Sequence, residues 1–365
     1  MKIAFLIGSI NGHGGIARAT SILVNNLSKN PDYDIGIINY SNTQEEASPK
    51  NPRINYIDIY NTNINLRKGF IRAEKIIRSF LKENNIDILI SFGALYFILG
   101  AISTKGLKTK AIAWEHSNFT SNYGHKGKKY NRKIGALLSD RVITLTKTDM
   151  DNYLQNVRKS GVDYIYNPID PALIEQAAEY RADSKGIITV GNLNAFKNYD
   201  DLMLIAEKVF ADPASDGWKW DIYGDGPKRQ ELEEKIKALH LEDKVTLKGR
   251  CENIYGILND YSLYVCTSKS EGLPMSLIEA KAKKLPIVSF DIMTGPGEII
   301  DDGKNGYLTK LHDIDGTAEK IIYLINSPET RLDFSDNTAI GLDKFSINNC
   351  IEKWNLILNE TAKDR

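Results

Sequence analysis

The chain has 365 residues, 42% of them hydrophobic, which is enough for two domains of ordinary size with separate cores. Its three cysteines lack a Cys-x-x-Cys spacing and its five histidines are scattered, so we expect neither a disulfide framework nor a structural zinc site. The net charge is zero, but the charges are unevenly distributed: residues 1–168 carry 23 basic and 13 acidic side chains, and the remainder carries 24 basic and 34 acidic ones. The first half is therefore a basic module suited to binding nucleic acid, an anionic membrane or a phosphorylated substrate.

Predicted strands and helices alternate through the first half of the chain. A helix follows the first strand and a glycine-rich turn, and another helix precedes the strand at 86–91. Such alternation predicts a parallel sheet that is covered on both faces. The buried strands are predicted at residues 2–8, 34–40, 54–59, 86–91, 110–115 and 141–145.

The pattern breaks at the proline-containing stretch 167–171, and a polar segment then runs to residue 185. We therefore predict an α/β protein with two doubly wound, Rossmann-like domains at 1–168 and 169–346, and a C-terminal helix at 347–365 that packs back on the first domain. Two such domains would face each other across a cleft at the carboxyl ends of their strands, where ligands of these sheets normally bind. In the second domain, strands are predicted at 187–190, 218–223, 244–247, 263–266 and 287–290, and helices at 201–210, 228–239 and 274–284.

Apolar runs give no sign of a membrane span or a signal peptide. The longest uninterrupted run, residues 94–102, has nine residues, well short of the roughly 20 that cross a bilayer as a helix. The run at 3–7 is too short for a signal-peptide core. We therefore expect a cytoplasmic location.

Two glutamates flank one predicted helix N-terminus. Glu271 lies in the loop after the strand 263–266, and Glu279 lies about a turn and a half into the helix that Pro274 begins. The free N–H groups of a helix start favour a phosphate, whereas carboxylates favour hydroxyl groups such as a vicinal diol. A phosphate between two polyols is the chemistry of a nucleotide sugar. The alternative is a solvated loop residue and an exposed helix residue.

The glycine-rich segment at residues 12–17, Gly-His-Gly-Gly-Ile-Ala, fits the dinucleotide fingerprint between a strand and a helix. Gly14 and Gly15 would let the backbone approach a ligand closely. The fingerprint also requires an acidic residue at the end of the second strand, and this sequence has Asn39-Tyr40-Ser41 there. An NAD(P)-dependent oxidoreductase is therefore the weaker alternative, and a tight turn without a ligand is another.

Two further side chains follow predicted strands at their carboxyl ends. His116 follows the strand 110–115, at the edge where doubly wound proteins place function, although a lone histidine is often structural. Lys197, in the loop after the strand 187–190, could reach a diphosphate or could simply be solvated.

Taken together, these motifs resemble the retaining glycosyltransferases of family 4, which have the GT-B fold, over nearly the whole chain. The resemblance implies transfer of a hexose or N-acetylhexosamine from a nucleotide sugar, such as UDP-linked glucose or galactose, to a glycan or lipid-linked acceptor of the bacterial surface. The first domain would bind the acceptor and the second the donor. The motifs are Glu271-x7-Glu279, the loop at 12–15, Glu115-His116-Ser117-Asn118, Gly191 to Lys197, Tyr223-Gly224-Asp225-Gly226-Pro227, Gly295-Pro296-Gly297-Glu298-Ile299-Ile300 and Asp302-Gly303-Lys304-Asn305-Gly306.

The resemblance also implies roles for individual residues. Glu279 would hold the ribose, and Glu271 would contact hydroxyl groups of the donor hexose. His116 would contact the sugar next to the anomeric carbon. The diphosphate would be neutralised by Lys197 together with the segment Leu273, Pro274, Met275 and Ser276.

One position departs from the family pattern. The family usually has an arginine directly after the strand glycine, whereas this chain has Asn192. One guanidinium that would contact the diphosphate is thus missing. Either Lys197 must neutralise more of the diphosphate charge, or another cation such as Arg250 must replace the arginine. A nucleotide-sugar-binding scaffold with weak catalysis is therefore a further alternative.

No metal cofactor is expected, because a helix N-terminus and a lysine can stabilise a departing diphosphate. Three Asp-x-Asp triplets, at 32/34, 149/151 and 313/315, do not fall at strand ends and are interpreted as surface or capping residues.

The candidate acceptor-binding segment is a basic stretch in the first domain. A solvated face is the default interpretation, and docking on anionic lipid or on a lipid-diphosphate-linked acceptor is the functional one. Nucleic acid is disfavoured, since no nucleic-acid-binding motif accompanies the charge. The basic residues are Lys126, Lys128, Lys129, Arg132 and Lys133, with Tyr130 among them.

Overall fold

The structure, a computed structural model, describes residues 1–10, 15–42, 51–121, 127–175 and 178–363. The chain divides into two compact units, one formed by residues 1–168 with 345–365 and the other by residues 169–344. Each unit is a parallel sheet flanked by helices, so the predicted fold class is confirmed.

The first unit is built on a seven-stranded parallel sheet. Its elements are β1 (Lys2–Ile7), α1 (Gly15–Leu27), β2 (Asp34–Ser41), β3 (Ile54–Tyr60), α2 (Leu66–Glu83), β4 (Ile88–Phe92), α3 (Phe97–Thr104), β5 (Lys110–Trp114), α4 (Lys128–Leu138), β6 (Arg141–Thr144), α5 (Lys147–Val157) and β7 (Val162–Tyr164). The strand order is β3-β2-β1-β4-β5-β6-β7. In β1, Phe5 pairs with Ile37 of β2 on one side and with Ile90 of β4 on the other. The interior strands β1, β4 and β5 are mostly apolar and buried because both faces of the sheet are covered.

The second unit repeats this construction with six parallel strands in the order β10-β9-β8-β11-β12-β13. Its elements are α6 (Pro171–Glu175), β8 (Gly186–Val190), α7 (Tyr199–Ala211), β9 (Lys219–Tyr223), α8 (Arg229–Ala238), β10 (Val245–Gly249), α9 (Ile254–Ile257), β11 (Leu263–Cys266), α10 (Met275–Ala282), β12 (Ile287–Asp291), α11 (Pro296–Ile299), β13 (Gly306–Lys310), α12 (Ile314–Asn326) and α13 (Pro328–Asn337). Single 3-10 turns lie at Pro213–Ser215, Leu258–Asp260 and Asp343–Phe345.

The helix α14 (Ile347–Lys363) follows the second unit in the chain but belongs to the first. The ring of Trp354 packs edge-on against that of Trp114 in β5, with the ring centroids 5.0 Å apart. The side-chain amide of Asn355 accepts a hydrogen bond of 2.9 Å from the hydroxyl of Tyr33. A buried aromatic pair thus joins α14 to the central sheet of the first unit.

The helix α3 packs against both α2 and α4 in the first unit. A side chain at Gly135 of α4 would place its Cβ 2.3 Å from the Cβ of Phe97 and 2.9 Å from the backbone nitrogen of Ile98. Only glycine permits this separation of the two helices. Among the described residues, no helix is both long and apolar enough to cross a bilayer.

Candidate active site

A lysine and a glutamate from two neighbouring loops of the second unit form an ion pair. Lys197 lies in the loop after β8, and Glu271 lies in the loop after the adjacent strand β11. The Nζ atom of Lys197 is 2.7 Å from Oε1 of Glu271, and their side chains are 21% and 16% exposed. Burial would lower the pKa of Lys197, but the charge of Glu271 outweighs it and raises that pKa well above its ordinary value. The lysine is therefore a fixed, permanently charged cation at the carboxyl end of the sheet.

Two glycines of the predicted motifs determine the path of the Lys197 side chain and of its loop. A Cβ atom at Gly191 would lie 2.9 Å from Cε of Lys197, so the lysine lies directly across the strand glycine. A Cβ atom at Gly224 would lie 1.9 Å from the carbonyl oxygen of Gly191. The loop after β9 therefore packs backbone to backbone on the loop after β8, so Gly224 excludes a side chain, and a side chain at Gly191 would displace the end of the lysine.

The segment before α10 is held by hydrogen bonds to the neighbouring loops. The hydroxyl of Thr267 donates to the carbonyl of Lys197 at 3.1 Å, and the backbone N–H of Lys269 donates to the carbonyl of Phe196 at 2.9 Å. From the other side, the hydroxyl of Thr294 donates to the carbonyl of Glu271 at 2.6 Å. Two neighbouring loops, one after β8 and one after β12, thus hold the loop that carries Glu271.

The N-terminus of α10 lies directly after this segment. Pro274, which was predicted as the first helical residue, occupies the cap position one residue before the helix begins at Met275, and no side chain caps the helix. The N–H groups of its first turn, at Met275 and Ser276, therefore lack the side-chain acceptor that normally satisfies such groups. Leu273 is buried directly before the cap. Gly295, with φ of 102°, leaves room for the Pro274 ring, because a Cβ atom at Gly295 would lie 2.4 Å from Cδ of Pro274.

Glu279 is the fifth residue of α10 and is buried. The alternative interpretation of Glu279 as an exposed helix residue is therefore wrong. A buried carboxylate is normally paired or hydrogen-bonded, because its desolvation is costly, and this one does interact with neighbouring groups. Glu271 thus lies in the loop before α10 and Glu279 lies inside that helix, on either side of its N-terminus.

His116 follows β5 in the first unit and is held by aromatic rings. Its imidazole stacks on Phe92, with ring centroids 3.6 Å apart, and lies edge-on to Trp114 at 4.2 Å. The ring is buried, and neither of its nitrogens has a hydrogen-bond partner among the described residues. Burial, opposed by the charge of Glu115, lowers its pKa to about 3, so the imidazole is neutral. Buried polar atoms normally have hydrogen-bond partners, so these two nitrogens are an exception among the described residues.

The neighbouring residue, Glu115, is buried at the centre of a hydrogen-bond cluster. Its Oε1 accepts from the backbone N–H groups of His116 and Ser117 at 3.0 and 2.9 Å, and from the Ser117 hydroxyl at 2.7 Å. Its Oε2 accepts from Nε of Arg132 at 2.7 Å and from the Tyr153 hydroxyl at 2.8 Å. The backbone that carries His116 is therefore fixed by a fully coordinated carboxylate.

Arg132 completes this cluster, which corrects its prediction as a surface cation. Its guanidinium donates to Glu115, to the Ser117 hydroxyl at 3.0 Å, and to the carbonyls of Phe119 and Ser121 at 2.8 Å each. The side chain is buried because the helical rotation of α4 turns position 132 toward β5. Arg132 therefore fixes the loop after His116 and is not available to an acceptor or a membrane.

The other members of the predicted basic stretch differ in their surroundings. Lys126 lies outside the described residues. Lys128 is half-buried, and burial lowers its pKa. Lys129 is exposed, and the ammonium of Lys133 lies over the ring of Phe119, 5.7 Å from its centroid.

Asp149 is also buried, which corrects its interpretation as a surface or capping residue. Its Oδ1 accepts a hydrogen bond of 2.7 Å from the backbone N–H of Phe119, and Thr146 is the residue that caps α5. Burial, and secondarily the charge of Glu115, raises the pKa of Asp149 to about 7. No group of three or more His, Cys, Asp or Glu in the described part of the chain is arranged to hold a metal ion.

The asparagine at the family's arginine position and the suggested substitute for that arginine both lie at the surface. Asn192 and Arg250 are both exposed. Arg250 follows β10, and β9 separates that edge strand from β8. Among the described residues, Arg250 makes no ion pair.

The glycine-rich loop lies largely outside the described residues, including Gly14, and Gly15 is the first residue of α1. The end of the second strand is described, and Asn39 is buried there. Its side chain accepts from the backbone N–H of Ile10 at 3.0 Å and donates to Asp58 at 2.7 Å. Asn39, at the position that would hold a ribose in an NAD(P) enzyme, is therefore hydrogen-bonded to the start of the glycine-rich loop instead.

Comparison with protein families gives two matches that together span most of the chain. The model of the group 1 glycosyl transferases matches residues 173–340. The model of the family 4 glycosyltransferases matches residues 13–173. The first match contains the Lys197–Glu271 pair and α10, and the second contains His116 and its cluster.

Individual relatives extend this likeness over the full length. The amylovoran biosynthesis glycosyltransferase AmsD of Erwinia amylovora is 28% identical, covering 98% of this chain and 99% of the relative. A Campylobacter jejuni α-1,4-N-acetylgalactosaminyltransferase named for a diphosphoundecaprenol-linked substrate is 27% identical and covers 99% of both chains. The crystal structure of a Staphylococcus aureus TarM variant with fondaparinux, α-GlcNAc-glycerol and UDP is 27% identical, with a TM-score of 0.70, over 78% of this chain and 59% of that one.

Proposed function

Because the chain belongs to the family 4 and group 1 glycosyltransferases, we propose that it transfers a hexose or N-acetylhexosamine, with retention of anomeric configuration, from a UDP-sugar to a glycan or lipid-linked acceptor. The observation that carries this proposal is the Lys197–Glu271 pair, 2.7 Å apart, directly before the uncapped start of α10. A cation and free helix N–H groups suit a diphosphate, and the carboxylates suit hydroxyl groups. The UDP in the related TarM structure supports the choice of nucleotide.

The proposed reaction needs little besides charge stabilisation from the protein. The bond between the anomeric carbon and a diphosphate oxygen breaks, and its electron pair leaves on the diphosphate. The acceptor hydroxyl oxygen bonds to the same face of that carbon, and its proton passes to the departing diphosphate. Negative charge thus grows on the phosphate, where Lys197 and the first-turn N–H groups of α10 stabilise the transition state more than the ground state.

Residues of the two units receive different roles in this proposal. In the second unit, Glu279 holds the ribose, and Glu271 both contacts the donor hexose and orients Lys197. In the first unit, His116 offers a neutral imidazole nitrogen to a sugar hydroxyl, and Glu115 with Arg132 positions it. A cytoplasmic location at the inner face of the plasma membrane is part of the proposal, since the C. jejuni relative is named for a polyprenol-linked substrate.

Turnover of a panel of nucleotide sugars tests the proposal. UDP-glucose, UDP-galactose and their N-acetyl analogues would be incubated with the protein, with and without EDTA, and UDP release measured. We expect UDP release from one of them, and we expect it to survive EDTA because no step is assigned to a metal. UDP binding without turnover would favour the scaffold alternative, and an absorbance change of NAD(P)H with a carbonyl substrate would favour the oxidoreductase.

A matched pair of lysines tests the role of Lys197. Lys228 in the same unit is 22% exposed and pairs with Asp200 at 3.0 Å, so it resembles Lys197 in burial and charge pairing. Lys197→Ala should lower UDP release by about a hundredfold or more, the scale for removing one preorganised donor. Lys228→Ala should leave it within about twofold of wild type, because a part-exposed ion pair contributes little. Equal effects of the two substitutions would contradict the assignment.

A further inference from the structure

The helix α4 exposes its large apolar side chains. Tyr130, Ile134 and Leu137 are 70%, 45% and 57% exposed. Their spacing of four and three residues places them on one helical face. A surface helix normally turns such residues toward the core, so this stripe is available to something outside the unit.

Contacts on the opposite face prevent the helix from rotating the stripe inward. Arg132 is fixed in the Glu115 cluster, and Gly135 lies against Phe97 of α3 at a separation that no side chain would fit. These positions lie about half a helical turn from the stripe. The exposed orientation of Tyr130, Ile134 and Leu137 is therefore determined by buried polar and backbone contacts.

Basic side chains border the stripe on α4 itself. Lys129 is exposed and Lys133 is partly exposed, and α4 contains no acidic residue. The stripe thus combines apolar side chains with a positive border, as in helices that lie in a membrane interface.

A second helix extends the basic surface, and the sequence interpretation did not include it. On α2, Arg67, Lys68 and Lys75 are exposed, and Ile71 among them is 72% exposed. The start of α2 lies beside that of α4, since a Cβ atom at Gly127 would be 3.6 Å from Nη2 of Arg67. Because α3 packs against both helices, α2 and α4 lie in one helical layer.

We propose that the exposed residues of α2 and α4 form a docking surface for an anionic bilayer. Tyr130, Ile134 and Leu137 insert at the boundary between headgroups and acyl chains, while the cations of both helices contact anionic headgroups. This inference rests on the proposed function, because it would bring the enzyme to a lipid-linked acceptor. A second copy of the chain fits less well, since a symmetric contact would place like charges together.

Sedimentation with lipid vesicles tests the proposal. Vesicles of phosphatidylcholine with and without phosphatidylglycerol would be mixed with wild-type protein and with three triple variants. The stripe variant is Tyr130→Ser, Ile134→Ser and Leu137→Ser, and the basic variant is Arg67→Gln, Lys68→Gln and Lys75→Gln. The matched control is Tyr323→Ser, Leu332→Ser and Ile340→Ser, which changes side chains of similar exposure, 48%, 46% and 55%, in the second unit.

We expect wild type and control to bind the anionic vesicles and to ignore pure phosphatidylcholine. The stripe variant should bind at least about tenfold more weakly at every salt concentration, because it removes apolar burial. The basic variant should bind about tenfold more weakly at low salt and converge with wild type at high salt, where charges are screened. Thermal melting should show that all variants remain folded.

Three results would overturn the proposal. Wild type could fail to bind anionic vesicles at low salt, or the stripe variant could bind them as well as the control does. Thirdly, wild type could be a dimer that dissociates only in the stripe variant, while that variant still binds vesicles. UDP release without vesicles keeps the two proposals separate. Docking can fail while UDP release remains, and UDP release can be absent while docking remains.

Discussion

The Nε atom of Arg132 lies 2.7 Å from Oε2 of Glu115, and both side chains are buried. Arg132 lies in α4 and Glu115 directly follows β5, so the pair connects the helical layer to the carboxyl end of the sheet beside His116. A buried ion pair contributes little against an apolar replacement of both partners, but losing one partner strands the other charge in the core.

Removing the guanidinium should therefore destabilise the first unit strongly. Arg132→Met should lower the free energy of unfolding by about 3–5 kcal/mol, since it leaves Glu115 without its counter-charge. Lys129→Met, three residues earlier on the exposed face, should change it by less than about 0.5 kcal/mol. Urea unfolding measures both. Equal stabilities of the two variants would show that the cluster does not hold the loop.

The Lys197–Glu271 pair predicts non-additive kinetics. If Glu271 orients the lysine, then Lys197→Met and Glu271→Gln disrupt the same interaction. The kcat of the double variant should then be hardly lower than that of the slower single variant. If the two residues acted independently, the losses in kcat would multiply. Steady-state UDP release by the four proteins distinguishes the two cases, with Lys228→Met and Glu231→Gln, a pair 2.8 Å apart, as the control cycle.

Glu279 is assigned to the nucleotide and not to the reacting sugar, so its loss should appear in binding. Glu279→Gln should weaken UDP binding by about tenfold, the scale of 1.4 kcal/mol for a lost hydrogen bond to a charged group. Glu271→Gln should bind UDP within about twofold of wild type. Calorimetry with UDP measures both affinities. Unchanged affinity of the Glu279 variant, with its melting temperature preserved, would remove the ribose assignment.

Two neighbouring groups predict opposite pH dependences of stability. Burial lowers the pKa of His116 from 6.5 to about 3, so the unfolded chain binds more protons between these values and stability rises with pH there. Burial raises the pKa of Asp149 from 3.8 to about 7, so the folded chain binds more protons and stability falls as pH rises from 3.8 to 7. In the overlapping window the two effects oppose each other.

Single substitutions should separate these effects. His116→Phe leaves Asp149, so its stability should fall as pH rises from about 4 to 6.5, whereas Asp149→Asn leaves His116, so its stability should rise. Each slope is bounded by about 1.4 kcal/mol per pH unit. Melting temperatures across this range measure the difference, with the exposed Asp151→Asn as the control. If stability changed with pH in the same direction in both variants, the shifted pKa of either His116 or Asp149 would be contradicted.

The sequence predicted what local patterns determine. Continuous apolar runs located most strands, because both faces of each sheet are buried. The loop after β11 and the start of α10 followed from a single strand-loop-helix segment, which located Glu271 in that loop and Glu279 in the helix. β13 was missed because only two of its five residues are buried and its apolar run is short.

Side-chain directions that depend on distant contacts were not predictable. Position 132 appears in the sequence as one more cation in a basic run, and its burial depends on the face that α4 turns toward the core. Asp149 belongs to an Asp-x-Asp triplet by sequence, and only the packing of α5 brings it to Phe119. The stacking of His116 on Phe92 joins the loop after β5 to the last residue of β4.

The membership of α14 in the first unit has a consequence for synthesis on the ribosome. Trp114 lies in the first third of the chain, but its ring partner Trp354 is translated only after the whole second unit. The first unit therefore completes its core only after the second unit has been translated, whereas the second unit has all of its strands once residue 310 has left the exit tunnel. We expect the second unit to reach a protease-resistant state first in stalled nascent chains, against the usual order from the N-terminus.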